Sequence, residues 1–277
     1  MHNGNIGSWK NIKRRLAASL SDQRFLGVQG STDSEWAFAL FLDSMERAGH
    51  NPNVDPGENG FGHAVLRKAV LETIKRINAF IAEVSPRDSA EDDGNEGDAD
   101  TRSLLNFAVT DGYSVVCTRY VSSTTDEAAS LYFSSGTNWK QDGPKGNYKM
   151  ERRDKGADIV LVASEPLTFE RDNWVTVPTN STLTIHKQTV MIHPIVDQYY
   201  NPSPSYERKM AFAVSKGLVS NAPGVAQSLT PTTVPGTDAA RQTEEVVDVV
   251  KRKLEEIQLR SGGGDGERRE GRRAGCC

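Results

Sequence analysis

The sequence predicts an α+β fold in which helices come first and an antiparallel β unit follows. Three observations predict it. Up to about residue 84 the apolar residues recur at the spacing of one helical face. From Leu104 onward the period shortens, and β-rich runs alternate with turn residues. Two of those runs, Leu104 to Thr110 and Ser114 to Val121, are separated by Asp111-Gly112, a strong hairpin signal. Helices followed by strands suggest layers of each kind.

The elements read in order as follows. After the opening His2-Asn3-Gly4-Asn5-Ile6-Gly7, Trp9, Ile12, Leu16 and Leu20 fall on one face of an amphipathic helix, with Lys13, Arg14 and Arg15 opposite. Gly30-Ser31-Thr32-Asp33-Ser34-Glu35 then leads into an apolar helix from Trp36 to about Arg47. Thr32, with Glu35 three residues later, reads as a capping box. The longest helix carries Leu66, Val70, Ile74, Ile77, Ile81 and Val84 as its stripe. Residues 85–102 are Asp-, Glu- and Gly-rich with almost no apolar side chains, so they read as a disordered insertion. Beyond the hairpin, further runs lie at Ala129 to Ser134, Asp158 to Ala163, Trp174 to Val177, Ser181 to Lys187 and Thr189 to Pro194. Residues 201–238 read as an irregular extension, 239–260 as a last helix, and 261–277 as a disordered Gly- and Arg-rich tail.

Composition narrows the function classes. The chain has 277 residues, with 33 Lys and Arg against 37 Asp and Glu, and a net charge of -4. A slightly acidic chain with only short basic clusters, Lys13-Arg14-Arg15 and Arg152-Arg153, argues against nucleic acid as partner. No apolar run reaches the ~20 residues that span a bilayer, and a cytoplasmic location is the default expectation. The 3 cysteines, Cys117, Cys276 and Cys277, have no spacing of a disulfide framework or a zinc site. No cofactor is called for. The sequon Asn180-Ser181-Thr182 carries no meaning in a cytosolic chain.

Candidate chemistry begins at Asn3-Gly4. An Asn amide beside a Gly lets a side-chain N–H and a backbone N–H converge on one point, as an oxyanion hole requires. The same dipeptide commonly makes an ordinary turn. Asp33 stands at a predicted helix N-terminus, where a carboxylate caps backbone N–H groups or receives a ligand's ammonium. His186 and His193 lie in β-rich segments without metal-ligand partners in motif. Arg119 reads either as a partner for a carboxylate or as a surface strand residue, and Asp111 as turn chemistry.

His2-Asn3-Gly4-Asn5-Ile6, then a helix with Lys13-Arg14-Arg15, then Gly30 to Glu35, resembles the glutamine-binding region of class II glutamine amidotransferases. Three further segments resemble the γ-glutamyl hydrolase branch, which includes a fungal glutathione-degradation subunit. They are Asn106 to Gly112 with Thr118-Arg119-Tyr120, Ala163 to Leu167, and Trp174 to Pro178. The resemblance covers residues 1–200. It implies a four-layer αββα sandwich of the N-terminal-nucleophile type, incomplete here because its first strands are missing. It implies that Asn3 and Gly4 form the oxyanion hole and that Asp33 holds the α-amino group of a γ-glutamyl substrate. A peptidase-like partner subunit is a further implication.

One departure matters. Enzymes of that family attack with an N-terminal cysteine that serves as its own base, whereas Met1 is followed here by His2. Cys117 sits mid-strand, and Cys276-Cys277 end the tail. The family's arginine for the substrate carboxylate also lies ahead of His-Asn-Gly. The expectation is therefore a γ-glutamyl amide hydrolase whose nucleophile is absent from this chain. The alternatives are a non-catalytic binding subunit, or a glutaminase that passes ammonia to a separate synthase. Cys276-Cys277 resembles a double-geranylgeranylation signal, but a fortuitous chain end is the better account of it.

Overall fold

The computed structural model describes residues 1–84, 100–142, 147–151, 158–168, 173–201, 203 and 206–219. Met1–Pro223 forms one compact unit. The expectations for 85–99, for the 239–260 helix and for the 261–277 tail lie outside the described residues.

Four helices occupy the first part: α1 (Trp9–Ser19), α2 (Asp22–Leu26), α3 (Asp33–Arg47) and α4 (His63–Val84). The predicted stripes are the buried faces. Ile12 and Leu16 of α1, and Leu66, Val70, Ile74, Ile77 and Ile81 of α4, join one core with Leu40 and Met45 of α3. Fully burying each such side chain contributes roughly 1.5–3 kcal/mol. The helix α2, five residues long, is too short for the periodicity to reveal.

Polar groups fix the angle between these helices. Asp43 of α3 is 2 % exposed. Its carboxylate accepts from Arg76 of α4 (2.7 Å), Arg47 (2.6 Å) and the Ser21 N–H (3.0 Å). Arg76 also donates to the Ser19 and Ser44 hydroxyls. One carboxylate thus ties α3 and α4 to the end of α1.

The strands are β1 (His2–Asn5), β2 (Leu104–Thr110), β3 (Ser114–Arg119), β4 (Tyr132–Gly136), β5 (Asn138–Asp142), β6 (Asn147–Glu151), β7 (Ile159–Ala163), β8 (Val175–Thr176), β9 (Ser181–His186) and β10 (Thr189–Pro194). They form a five-stranded sheet in the order β1-β2-β3-β9-β10, a three-stranded sheet β7-β4-β8, and the β5-β6 hairpin. All named pairings are antiparallel. Period-two alternation sorts the large sheet's side chains. Leu105, Phe107 and Val116 enter the core beneath the helices. Cys117 and Leu183 point the other way, into a second core with Leu131, Val177, Phe133 and Val162. The described residues therefore stack as three layers: helices, large sheet, small sheet.

The predicted hairpin turn is present. Gly112 has a φ of +89°, a conformation that glycine adopts without strain. Asp111 accepts from the N–H groups of Tyr113 and Ser114, and also from Gly62 just ahead of α4. The segment that reads as irregular contains a short helix, α5 (Ala211–Ser215). Its Phe212 and Ala213 pack on Leu104, Val121 and Ala128, and Arg102 lies over the Phe212 ring at 3.9 Å. No helix among the described residues is long and apolar enough to cross a membrane.

Candidate active site

β1 is an edge strand, and its register decides where its groups point. Met1 and Ala108 exchange both backbone hydrogen bonds at 2.9 Å, and His2 pairs with Phe107. Hydrogen-bonded and non-hydrogen-bonded pairs alternate along an antiparallel ladder. Asn3 opposite Asn106 is therefore a bonded pair, and Gly4 opposite Leu105 is not. The Gly4 N–H points away from β2, off the free edge of the sheet. A Cβ on Gly4 would run into the Leu104 carbonyl, so the close approach of β2 requires glycine here.

Asp33 meets the same edge. It is the first residue of α3, and its Oδ2 accepts the Ile6 N–H at 2.9 Å while Oδ1 accepts the Ser34 N–H at 2.8 Å. Ile6 follows Gly4 by two residues, so its N–H points off the same edge, about 7 Å along a strand rising ~3.4 Å per residue. The edge thus presents an outward N–H and, farther along, a carboxylate.

Thr32 caps the helix, accepting the Glu35 N–H at 3.4 Å. The return bond of a capping box is not made. Glu35 instead accepts the Gln29 N–H at 2.8 Å, closing the loop ahead of the helix.

Asn3 lies on the opposite face of β1, toward the small sheet. Its Nδ2 donates to Ser164 Oγ at 3.1 Å, just past β7. Asn106 beside it is buried, donates to the Ala129 carbonyl at 3.0 Å and accepts from the Tyr120 N–H. Arg119 is 3 % exposed and braces the same loop. It donates to the Ala128, Ala129 and Val177 carbonyls and pairs with Glu127 at 2.7 Å. Of its two sequence readings, the carboxylate partner is the one observed.

His2 ties the strand to α3. Nε2 faces the Leu104 carbonyl at 3.1 Å, so it must carry the proton. Nδ1 then accepts from the Ser34 hydroxyl at 3.0 Å. Burial lowers the imidazole pKa, a shift opposed by the Leu104 carbonyl and the Asp33 charge. The ring is therefore a neutral spacer between β1 and the start of α3. Sequence reasoning took His2 only as part of the motif. Its contact with Ser34, 32 residues away, has no local signal.

A cavity of about 300 Å³ lies on the helix side of β1, lined by Met1, His2, Ser34, Phe38, Phe41 and Phe107 among others. Asn3, Gly4 and Asp33 do not line it, so it neighbours the edge site without containing it.

Among the described cysteines, Cys117 is 3 % exposed, and burial pushes its thiol up to about 11. It faces the core between the sheets and is a packing residue. His186 bonds Ser114 Oγ through Nδ1 at 2.9 Å and lies against the His63 ring. His193 is exposed at the end of β10.

A Saccharomyces cerevisiae (strain ATCC 204508 / S288c) protein named "Probable glutamine amidotransferase DUG3" is 49% identical over 224 residues, which is 80% of this chain. The chain is a homologue of this probable glutamine amidotransferase over that span. It spans 59% of the length of that curated relative. A solved structure titled as a glutamine aminotransferase class-II domain protein from Silicibacter pomeroyi overlays with a TM-score of 0.42 at 20% identity. That overlay covers 71% of this chain and 67% of the other. No family model matches the chain.

Proposed function

We propose that this glutamine amidotransferase homologue supplies the γ-glutamyl-binding and oxyanion-stabilising part of a class II enzyme that hydrolyses glutathione or a related γ-glutamyl amide. The supporting observation is the β1 edge, where the Gly4 N–H points outward, Asp33 holds the N–H of Ile6 two residues further along, and the Asn3 amide projects from the adjoining position toward Ser164. In this reading the substrate's ammonium sits on Asp33. The γ-carbonyl oxygen faces the Gly4 N–H and Asn3 Nδ2, which become stronger partners as negative charge develops on that oxygen.

The attacking thiol belongs to an N-terminal cysteine that is not among these residues. It forms a thioester and releases the amine, and water then releases glutamate. Burial of Cys117 keeps that thiol out of the role. The full class II fold would add a second helical layer to the three described, and a peptidase-like partner in the cytoplasm accords with the glutathione reading. The buried, high-pKa Cys117 also supports a second reading, in which this chain binds γ-glutamyl compounds without cleaving them.

Glutamate release from glutathione and from glutamine, measured on the full-length protein and on residues 1–277 alone, separates these readings. Turnover by the full-length protein that is lost on alkylation supports the hydrolase. Binding without turnover in both supports the binding subunit. Alkylation-sensitive turnover by residues 1–277 overturns the proposal, because the nucleophile would then lie among Cys117, Cys276 and Cys277.

A further inference from the structure

Asn3 stands on an edge strand, half exposed, with its amide reaching across to the other sheet. Among the described residues its amide makes one hydrogen bond, Nδ2 to Ser164 Oγ at 3.1 Å. Ser164 follows the last residue of β7, and β7 is held in the small sheet by five register pairs with β4, Tyr132 opposite Ala163 being the last. The small sheet packs on the large one through Cys117, Leu131, Val177 and Leu183. Ser164 is therefore a fixed post on one layer, and Asn3 is a rotatable side chain on the edge of another. The strand partner of Asn3 cannot serve instead, since the Asn106 amide is committed to the Ala129 carbonyl and the Tyr120 N–H.

We infer that Ser164 is a positioning residue that holds the Asn3 amide in place for the reaction proposed above. One Nδ2 hydrogen goes to Ser164 Oγ, which leaves the other for the substrate's developing oxyanion. A donor contributes to catalysis only if its position is set before charge develops. Two freely rotating side-chain torsions would scatter the Nδ2 over several rotamers. Ser164 lies in the Ala163 to Leu167 segment, which carries part of the family resemblance without any role attached to it.

The inference rests on the hydrolase reading, and its test separates the two. In the full-length protein, Ser164→Ala should lower kcat for γ-glutamyl hydrolysis about tenfold with KM within about twofold. That is less than the ~100-fold or greater cost of deleting an oxyanion donor outright. Ser164→Thr keeps the hydroxyl and should retain most of kcat. In parallel, ¹⁵N relaxation of the Asn3 side-chain amide should pass from ordered to mobile in Ser164→Ala. Unchanged kcat in Ser164→Ala, or an Asn3 amide that stays ordered, overturns the positioning role. If turnover falls with Asp33→Asn but is indifferent to Ser164→Ala, the hydrolase stands and this inference fails. If the unsubstituted protein shows no turnover, both fail.

Discussion

At the scale of single residues, Thr32 and Asp33 stand side by side and do different work. Thr32 caps α3, and Asp33 holds the Ile6 N–H at the sheet edge. Thr32→Ala should cost about 1 kcal/mol in denaturant unfolding and leave glutamine binding alone. Asp33→Ala should weaken glutamine binding at least tenfold by calorimetry; a loss of stability with unchanged affinity would return Asp33 to a capping role. His2 gives a pH signature. Its native pKa lies below the ordinary 6.5, so the unfolded state binds more protons as pH falls through that value. Stability is full above it and declines on acidification toward the lowered native value. Melting temperatures between about pH 7 and 5.5 should fall more steeply in the wild type than in His2→Gln. The carboxylates with lowered pKa values, Asp43, Asp100 and Asp111, start from 3.8 and lose their contribution only at more acidic pH.

At the scale of elements, legibility in the sequence followed periodicity. The stripe of α4 and the Asp111-Gly112 hairpin were readable because each is a local pattern that burial or turn geometry enforces. The β5-β6 hairpin was not. Asn138 to Asp142 has one apolar residue, Trp139, and Asn147 to Glu151 only Tyr148 and Met150, so the alternation is too short to announce a pairing in which Trp139 stacks on Tyr148. Asn3, Gly4 and Asp33 were legible through their motif. Ser164, His2 and Arg119 were not assigned their contacts, because those join residues 161, 32 and 8 positions away in ways that only the layers create. The Asp43 network is of the same kind. Asp43→Ala strands the Arg76 guanidinium, 14% exposed, without its carboxylate, and should cost about 3 kcal/mol in urea unfolding. A loss below about 1 kcal/mol, the range of exposed pairs, would mean that water replaces the carboxylate.

For the whole molecule, β1 is one of the two edge strands of the large sheet, and the residues proposed for γ-glutamyl recognition gather there, Asn3 and Gly4 on the strand and Asp33 against its end. The one described thiol lies away from it, between the sheets. Cys117 should therefore react with an aromatic disulfide reagent only on unfolding, and prompt reaction in the native state would show that the sheets separate. The central claim is that the β1 edge binds the γ-glutamyl group. A titration of ¹⁵N-labelled residues 1–277 with L-glutamine, followed by amide chemical shifts, tests it most directly. The account predicts saturable shifts at Gly4, Ile6, Asp33 and the Asn3 side chain, absent with D-glutamine and in Asp33→Ala. Saturable shifts gathered elsewhere, or none at the β1 edge, would contradict it.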